Sequence, residues 1–497
     1  VLRENNKAGR APTLAELFQA DPERGRHWLF RFGPLLADLS RRHLDRHRLD
    51  SLLSASREAG LTEAVRRLFA GEVVNPTEGR PALHWAWRAP NAELSRIDPE
   101  HERDAVRQRM DEIAAAVRGG KWRGTGGGPI SDVICLGIGG SELGPRLAVE
   151  ALGPGDGPEI HFLANVDGGP IERLLATLDP ATTLALITSK SFRTAETMLN
   201  AATVRGWLAR AAPDERAAEQ CLAITARPGH AVDWGIPERN VLPLWESVGG
   251  RYSLWSAAGL PVLIALGSVA FDALLAGAAE MDQHFRTESP ERNLPILAGS
   301  LDAAQAALAV VPYDERLRLL PEYLQQLYME SLGKPAPEGR RWRAPVVFGT
   351  TGTRAQHTFF QALHQGELQA AVDFIGVIHA DHGLAGHQRA LLANLLGQAR
   401  ALALGGGRSE LDRTFACPGD RPSNVLLLEA LTPRALGALL AHYEHRVFVA
   451  ATLAGVNPFD QLGVELGKRL AGELEPLLEG GEAPPGLEAL LEAIRGA

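Results

Sequence analysis

The stretch VICLGIGGSELGPR, from Val133 to Arg146, runs from a short apolar segment through a glycine-rich turn into residues at helical spacing. Strand, tight turn and helix in that order form the repeating unit of a parallel sheet, because parallel neighbours need a crossover between them. Outward from this stretch the rhythm continues. Residues 132–136, 160–164, 183–188, 221–225 and 241–244 read as strands alternating with helical patterns. Residues 254–332 read as a long helical region, after which strands return at 345–348, 372–379 and 424–429. Residues 13–95 read as helical, 121–129 as a glycine-rich hinge, and 479–485 as a short linker before a last amphipathic helix at 487–494. The fold class is α/β with two domains, one built from segments on both sides of the other.

Composition narrows the partners. The chain has 497 residues, 45% apolar and 22% charged, an ordinary balance for a globular protein. A net charge of −9 argues against a general nucleic-acid or anionic-membrane surface, so an anionic ligand needs a local pocket. Cys135, Cys221 and Cys417 give neither a disulfide framework nor zinc spacing, which fits a reducing cytoplasm. The N-terminal VLRENNKAGRAPT lacks the apolar core of a signal peptide. Residues 254–271 are uncharged and approach the length of a membrane span. Gly259, Pro261, Gly267 and the immediate Asp272 instead favour a buried helix of a soluble protein.

Two loops suit an anion. In the first, Gly139, Gly140 and Ser141 follow a strand and precede a helix, so backbone N–H groups can face a ligand. Glu142 stands where a dinucleotide fingerprint needs its third glycine, and no P-loop lysine is present, so a purely structural turn is the stronger reading of this loop alone. In the second, Ser189-Lys190-Ser191-Phe192-Arg193-Thr194 gathers hydroxyls and a lysine at a helix start. Capping by Ser191 or Thr194 accounts for one hydroxyl but not for their density.

Lysine is rare. Arg supplies nearly all of the 51 positive residues, and the lysines are Lys7, Lys121, Lys190, Lys334 and Lys468. A compact ammonium retained in so Arg-rich a chain points to sites a planar guanidinium cannot serve. Three positions suit acid–base chemistry. Glu330 lies in LPEYLQQLYMESLGK, where Pro321 and Gly333 bracket a helix, and Tyr323, Gln326 and Glu330 share a face. A carboxylate near a helix C-terminus is disfavoured as a charge and suits a base. His357 lies in GTTGTRAQHTFFQALHQG, where Thr353 and Gln356 have capping-box spacing, so His357 is expected in the first turns of a helix. Lys468 ends FDQLGVELGK, expected as a helix started by Asn457-Pro458, with Gln461 facing the same way. Each has an ordinary alternative: a solvated helix-end Glu, a surface His, a Glu465–Lys468 ion pair. His379, Asp381, His382 and His387 are dense enough to suggest a metal, but match no ligand spacing, and no metal is expected.

Taken together these stretches resemble the phosphoglucose isomerase (glucose-6-phosphate isomerase) family. The matching series runs in order through FAGEVVNPTEGRPALHWAWR, GIGGSELGPR, SKSFRTAET, GGRYSLWSAAGL, YMESLGK, the GTxxQH core around His357, and FDQLGVELGK. The resemblance implies two sugar-isomerase (SIS)-type three-layer αβα domains with parallel-rich sheets and a C-terminal helical arm around a dimer partner. The expected division is 105–265 for the smaller domain, 1–104 with 266–440 for the larger, and 441–497 for the arm. It implies reversible conversion of glucose 6-phosphate to fructose 6-phosphate without metal or organic cofactor. Gly140, Ser141, Ser189, Lys190, Ser191 and Thr194 would hold the phosphate. His357, contributed by the neighbouring subunit, would open the ring with Lys468. Glu330 would move the proton between C1 and C2 through a cis-enediol, Arg251 would stabilise its charge, and Gln326 and Gln461 would contact substrate. A homodimer with shared sites follows.

The sequence departs from the family pattern in places. Thr350, Thr351, Arg354 and Ala355 replace the usual Glu, Pro, Asn and Gly before His357. Ser191 and Arg193 stand where Thr is usual, Arg193 as an extra cation beside the expected phosphate. The chain is also shortened between Lys334 and Pro345 and around 381–387. Two other functions fit the same resemblance: a non-catalytic sugar-phosphate-binding regulator, and a broader isomerase also using mannose 6-phosphate. The regulator would need the loops but not Glu330, His357 and Lys468.

Overall fold

The computed structural model describes residues 11–335, 337–338, 342–406, 414 and 416–496. Among the described residues the strands are β1 (Leu29–Phe32), β2 (Leu35–Asp38), β3 (Asp132–Leu136), β4 (Glu159–Leu163), β5 (Thr183–Thr188), β6 (Cys221–Thr225), β7 (Val241–Pro243), β8 (Ala307–Tyr313), β9 (Val346–Gly349), β10 (Ala370–His379) and β11 (Ser423–Ala430). β3 to β7 form one sheet in the order β4-β3-β5-β6-β7, parallel throughout. The other is ordered β1-β2-β11-β10-β8-β9, parallel from β11 to β9, with β1 and β2 added antiparallel at its edge. Every residue of β5, β6 and β8 is buried, as a sheet covered by helices on both faces requires.

Three sequence expectations are corrected here. The region 254–332 is not helical throughout, because ALAVVPY forms β8 beside the central β10. A continuous apolar run does not reveal its period, and flanking helical sequence hid it. Within the stretch read as helical at 13–95, LFRF and LLAD pair as a hairpin across Gly33, whose φ of +47° suits the turn. The uncharged segment 254–271 is buried at its centre but is not one helix. It breaks at Gly267, φ +84°, between helices Leu260–Leu266 and Ser268–Thr287. No helix among the described residues is long and apolar enough to cross a membrane.

The centre of the molecule is the helix Pro433–Ala454, buried along most of its length against Ser268–Thr287, Leu294–Asp302 and Leu320–Leu332. Its charged residues are matched from outside. Arg88, buried, donates to Asp282 and Glu444 at 2.7 Å and lies 4.5 Å over the Trp255 ring. Arg446 donates to Asp302 and, at 2.6 Å, to Asp373. Removing one partner of such a pair strands a buried charge, at a cost of about 3–5 kcal/mol. Tyr328 of the helix Leu320–Leu332 donates to Asp302 at 2.9 Å and so joins this network.

The chain ends differently. Among the described residues from 461 to 496 only Leu491 is buried. Helix Glu465–Leu474 has no buried residue, and Leu462, Leu466, Leu470, Leu490 and Ile494 face solvent.

Candidate active site

Loops at the C-terminal ends of β3 and β5 are where parallel α/β sheets bind ligands. After β3 the chain turns through Gly139–Ser141 into the helix Leu143–Leu152. Two glycines allow a close approach. Gly139 has φ +58°, and a Cβ there would meet Gln326 Nε2 at 2.8 Å. A Cβ on Gly140 would lie 2.0 Å from the carbonyl carbon of Gly250 and 2.3 Å from the nitrogen of Arg251. The first loop therefore rests directly on the backbone that carries Arg251, and Ser253 Oγ donates to the Gly140 carbonyl at 3.2 Å. Ser141 closes the turn, partly exposed. Glu142, in place of the fingerprint glycine, is buried and accepts from Arg146 at 3.0 Å; burial pushes its carboxyl up despite that partner.

Arg251 is 3% exposed and fully engaged. Nε donates to Ser331 Oγ at 2.8 Å, Nη1 to Gln461 Oε1 at 2.9 Å and Glu330 Oε2 at 3.2 Å, and Nη2 to the Pro458 and Asp460 carbonyls. Glu330 is two residues before the end of the helix Leu320–Leu332, which has Pro321 in its first turn and is followed by Gly333 as expected. Its other oxygen accepts from Gln326 Nε2 at 3.2 Å. Gln326 Oε1 is buried without a partner, an acceptor left open beside the carboxylate. Arg251, Glu330, Gln326 and Gln461 thus converge. Ser331 and Tyr252, joined at 3.1 Å, brace Arg251 from behind.

The segment bearing Gln461 is held by residues not singled out from the sequence. Asp460 pairs with Lys334 Nζ at 2.8 Å and accepts from Thr77 at 2.6 Å and Asn457 at 2.9 Å, while Asn457 also donates to Asn75 at 2.8 Å. Burial lowers the Lys334 ammonium from its ordinary value, and Asp460 draws it back. Burial would raise the Asp460 carboxyl, yet Lys334 and Thr77 hold it below the usual range. Asn75 and Thr77 lie in a quoted family motif, the only signal that could have found them, whereas Lys334 is also marked by the rarity of lysine in this chain. Asn457-Pro458 therefore does not start the helix of Lys468. That helix is Glu465–Leu474, and Gln461 precedes it in non-helical backbone.

The second loop leads into the helix Ala195–Leu208 with Thr194 as its N-cap residue, but no side chain caps it. Thr194 Oγ1 lies instead 3.1 Å from Ser189 Oγ. Ser191 Oγ accepts from the Arg193 backbone at 3.2 Å. The Lys190 ammonium does not stand free in the loop. It donates to the carbonyls of Glu246 at 2.6 Å and Val248 at 3.2 Å, tying this loop to the turn before Gly249. Burial lowers it from its ordinary value.

His357 and Lys468 are not brought to Arg251 by contacts within the chain. His357 is exposed and is the C-cap of the five-residue helix Gly352–Gln356, not a residue of a helix's first turns as expected. The N-cap is Thr351, whose hydroxyl donates to Glu315 at 2.8 Å, and Thr353 and Gln356 form no capping box. The Lys468 side chain is 57% exposed and pairs with Glu465 at 2.9 Å. Lys7 and most of the N-terminal segment read for a signal peptide lie outside the described residues.

The histidine-rich HADHGLAGH does not converge: Asp381 pairs with Arg316 and His387 lies in the helix Ala385–Leu404. Among the described residues the one convergent group of potential metal ligands is Asp132, Glu159 and His161, at the opposite ends of β3 and β4 from the loops. A cavity of about 620 Å³ lies among Leu53, Val65, Phe69, Phe285 and Ile296, and no candidate residue lines it.

Two parallel-rich sheets bearing glycine- and hydroxyl-rich loops define a protein of the sugar-isomerase (SIS) fold. Comparison with known proteins narrows this. The profile of the phosphoglucose isomerase family matches residues 38–489. A glucose-6-phosphate isomerase of Burkholderia orbicola (strain AU 1054) is 45% identical, with 98% of this chain and 93% of that protein covered. One from Burkholderia pseudomallei (strain 1106a) is 46% identical, covering 96% and 90%. The crystal structure of a glucose-6-phosphate isomerase from Chlamydia trachomatis D/UW-3/Cx superposes with a TM-score of 0.84 at 30% identity, covering 98% and 96%. The chain belongs to the phosphoglucose isomerase family.

Proposed function

We propose that this protein interconverts glucose 6-phosphate and fructose 6-phosphate. The observation that carries the reading is the Arg251–Glu330 pair at 3.2 Å, a carboxylate partly open to solvent beside a buried cation. A carbon acid next to a carbonyl needs both: a base for the proton and a fixed positive group for the enediolate oxygen that forms as it leaves. Glu330 takes the proton from C2 of the open-chain aldose and returns it to C1, the electron pair passing through a cis-enediol. Arg251 is pre-oriented by five hydrogen bonds and does not reorganise as charge develops. The open carbonyl of Gln326 is suited to receive a substrate hydroxyl.

Ser189, Ser191, Thr194 and Ser141, with backbone N–H groups of Lys190 and Gly140, hold the phosphate. Lys468 and His357 open the sugar ring. Both are solvent-exposed in the single chain, which supports a homodimer in which the partner subunit supplies the histidine. We assign residues 105–265 to the smaller domain and 1–104 with 266–440 to the larger, in a cytoplasmic enzyme. The arm expected at 441–497 starts only after the buried helix Pro433–Ala454, which runs unbroken through residue 441. A sugar-phosphate regulator would need no carboxylate beside Arg251.

The test is fructose 6-phosphate conversion in EDTA, coupled to NADP reduction by glucose-6-phosphate dehydrogenase. Glu330→Gln is expected to lower kcat by about 10²–10⁴-fold with KM close to the parent. A parent that binds sugar phosphate without turning it over would favour the regulator.

A further inference from the structure

The second loop carries a cation held in an unusual way. Phe192 is 3% exposed with a φ of +52°, a conformation non-glycine side chains seldom adopt. This inversion brings Ser191 and Arg193 to the exposed side of the loop while Phe192 is buried. Arg193 Nη2 lies 3.1 Å from His230 Nε2, and His230 Nδ1 lies 3.0 Å from the Ser191 carbonyl oxygen. A carbonyl can only accept and a guanidinium can only donate. Both contacts are therefore satisfied by one form of the ring, neutral, with its proton on Nδ1 and a lone pair on Nε2. His230 sits in the segment after β6, already stitched to the loop by Ala226 N–H on the Lys190 carbonyl at 3.0 Å.

The neighbouring cations are spent. Arg227 pairs with Glu246, and Arg80 with Glu246 at 2.6 Å and Glu78 at 3.1 Å. Arg193 makes no ion pair with any described residue, and its one side-chain contact is a neutral acceptor that leaves its charge uncompensated.

We propose that Arg193 is an additional phosphate ligand of this enzyme and that His230 is the residue that positions it. His230 grips one N–H of the guanidinium and leaves the others for the outer oxygens of a phosphate monoester held by Ser189, Ser191 and Thr194. The inference rests on the isomerase reading for the location of the phosphate, and it adds recognition of the phosphate alone. The sugar and the reacting carbons are untouched.

The experiment measures kcat, KM for fructose 6-phosphate and competitive inhibition by inorganic phosphate. Arg193→Thr is expected to raise both KM and the phosphate inhibition constant about tenfold, with kcat within about twofold. His230→Ala should raise them about threefold, His230→Gln should stay near the parent because an amide can both donate and accept, and Arg193→Thr/His230→Ala should match Arg193→Thr alone. An unchanged phosphate constant in Arg193→Thr overturns the proposal, as does a His230→Ala effect that persists undiminished without Arg193. If the parent does not isomerise the sugar, the isomerase reading fails by itself. Equilibrium dialysis of labelled inorganic phosphate against the same variants then decides the ligand question.

Discussion

Arg251 and Lys468 are both cations proposed for one site, and the single chain treats them in opposite ways. Arg251 is 3% exposed and donates five hydrogen bonds to residues from two distant parts of the chain, 330–331 and 458–461. Lys468 is on a helix with no buried residue, and its partner is Glu465, three positions away on the same turn. Exposed pairs of that kind contribute about 0–1 kcal/mol and fix little. The difference separates two halves of the chemistry. On the proposed reading, proton transfer is built inside one chain, whereas ring opening calls on groups that face solvent in the single chain. The solvent-facing Leu462, Leu466 and Leu470 beside Lys468 give that surface something apolar to cover.

Several experiments sharpen or break this contrast. Lys468→Arg is expected to lower activity about 10²-fold with an unchanged denaturation midpoint, since an exposed lysine matters to chemistry only once another surface has closed over it. Near-parent turnover would leave Lys468 the surface residue the single chain presents. The next largest effect comes from mixing. His357→Ala and Glu330→Gln are each expected to be almost inactive, and subunit exchange between them should restore activity toward about a quarter of the parent, because half the dimers then carry one intact site. No recovery on mixing would confine the site to one chain.

Acid should affect the buried half first. Burial lowers His84, His284, His442 and His445 from the ordinary histidine value, for His445 against the pull of Asp282. A depressed folded value means the unfolded chain binds these protons more tightly. Stability is thus full above about pH 6.5 and is lost as pH falls below it, by up to roughly 1.4 kcal/mol per unit for each histidine. Urea midpoints from pH 7.5 to 5 would measure this, and a flat profile would contradict it. The smallest effect is expected at the arm: Glu465→Ala should change unfolding free energy by less than about 0.5 kcal/mol in the same assay.

Much of the fold was legible where turn chemistry and period agreed. β3, β5 and β6 begin and end where the alternation predicts, because glycine, hydroxyl and charged residues bound each apolar run. β8 was not legible: ALAVVPY is buried on both faces and so carries no alternation, and Pro312 lies within it. At the site, the helix of Glu330 could be read from Pro321 and Gly333, which act locally. The surroundings of Arg251 could not, since Ser331, Pro458 and Gln461 reach it from across the sequence. His357 was misplaced for a related reason. Thr353 and Gln356 have the right spacing for a cap, but Thr351 bonds Glu315 and starts the helix two residues sooner. His230 offered no motif, because what marks it is a neighbouring strand's loop.

The contact of Gly140 with Gly250, where no Cβ fits, makes the molecule a caliper. One jaw is the loop at Gly140, proposed for the phosphate, and the other is Arg251 with Glu330. Two backbones are pressed together where the jaws meet, with Ser253 Oγ on the Gly140 carbonyl beside them. On the proposed reading, a change in the carbon-chain length such a tool accepts would need the main chain re-routed at Gly250, whereas a change in stereochemistry would need only new side chains between the jaws.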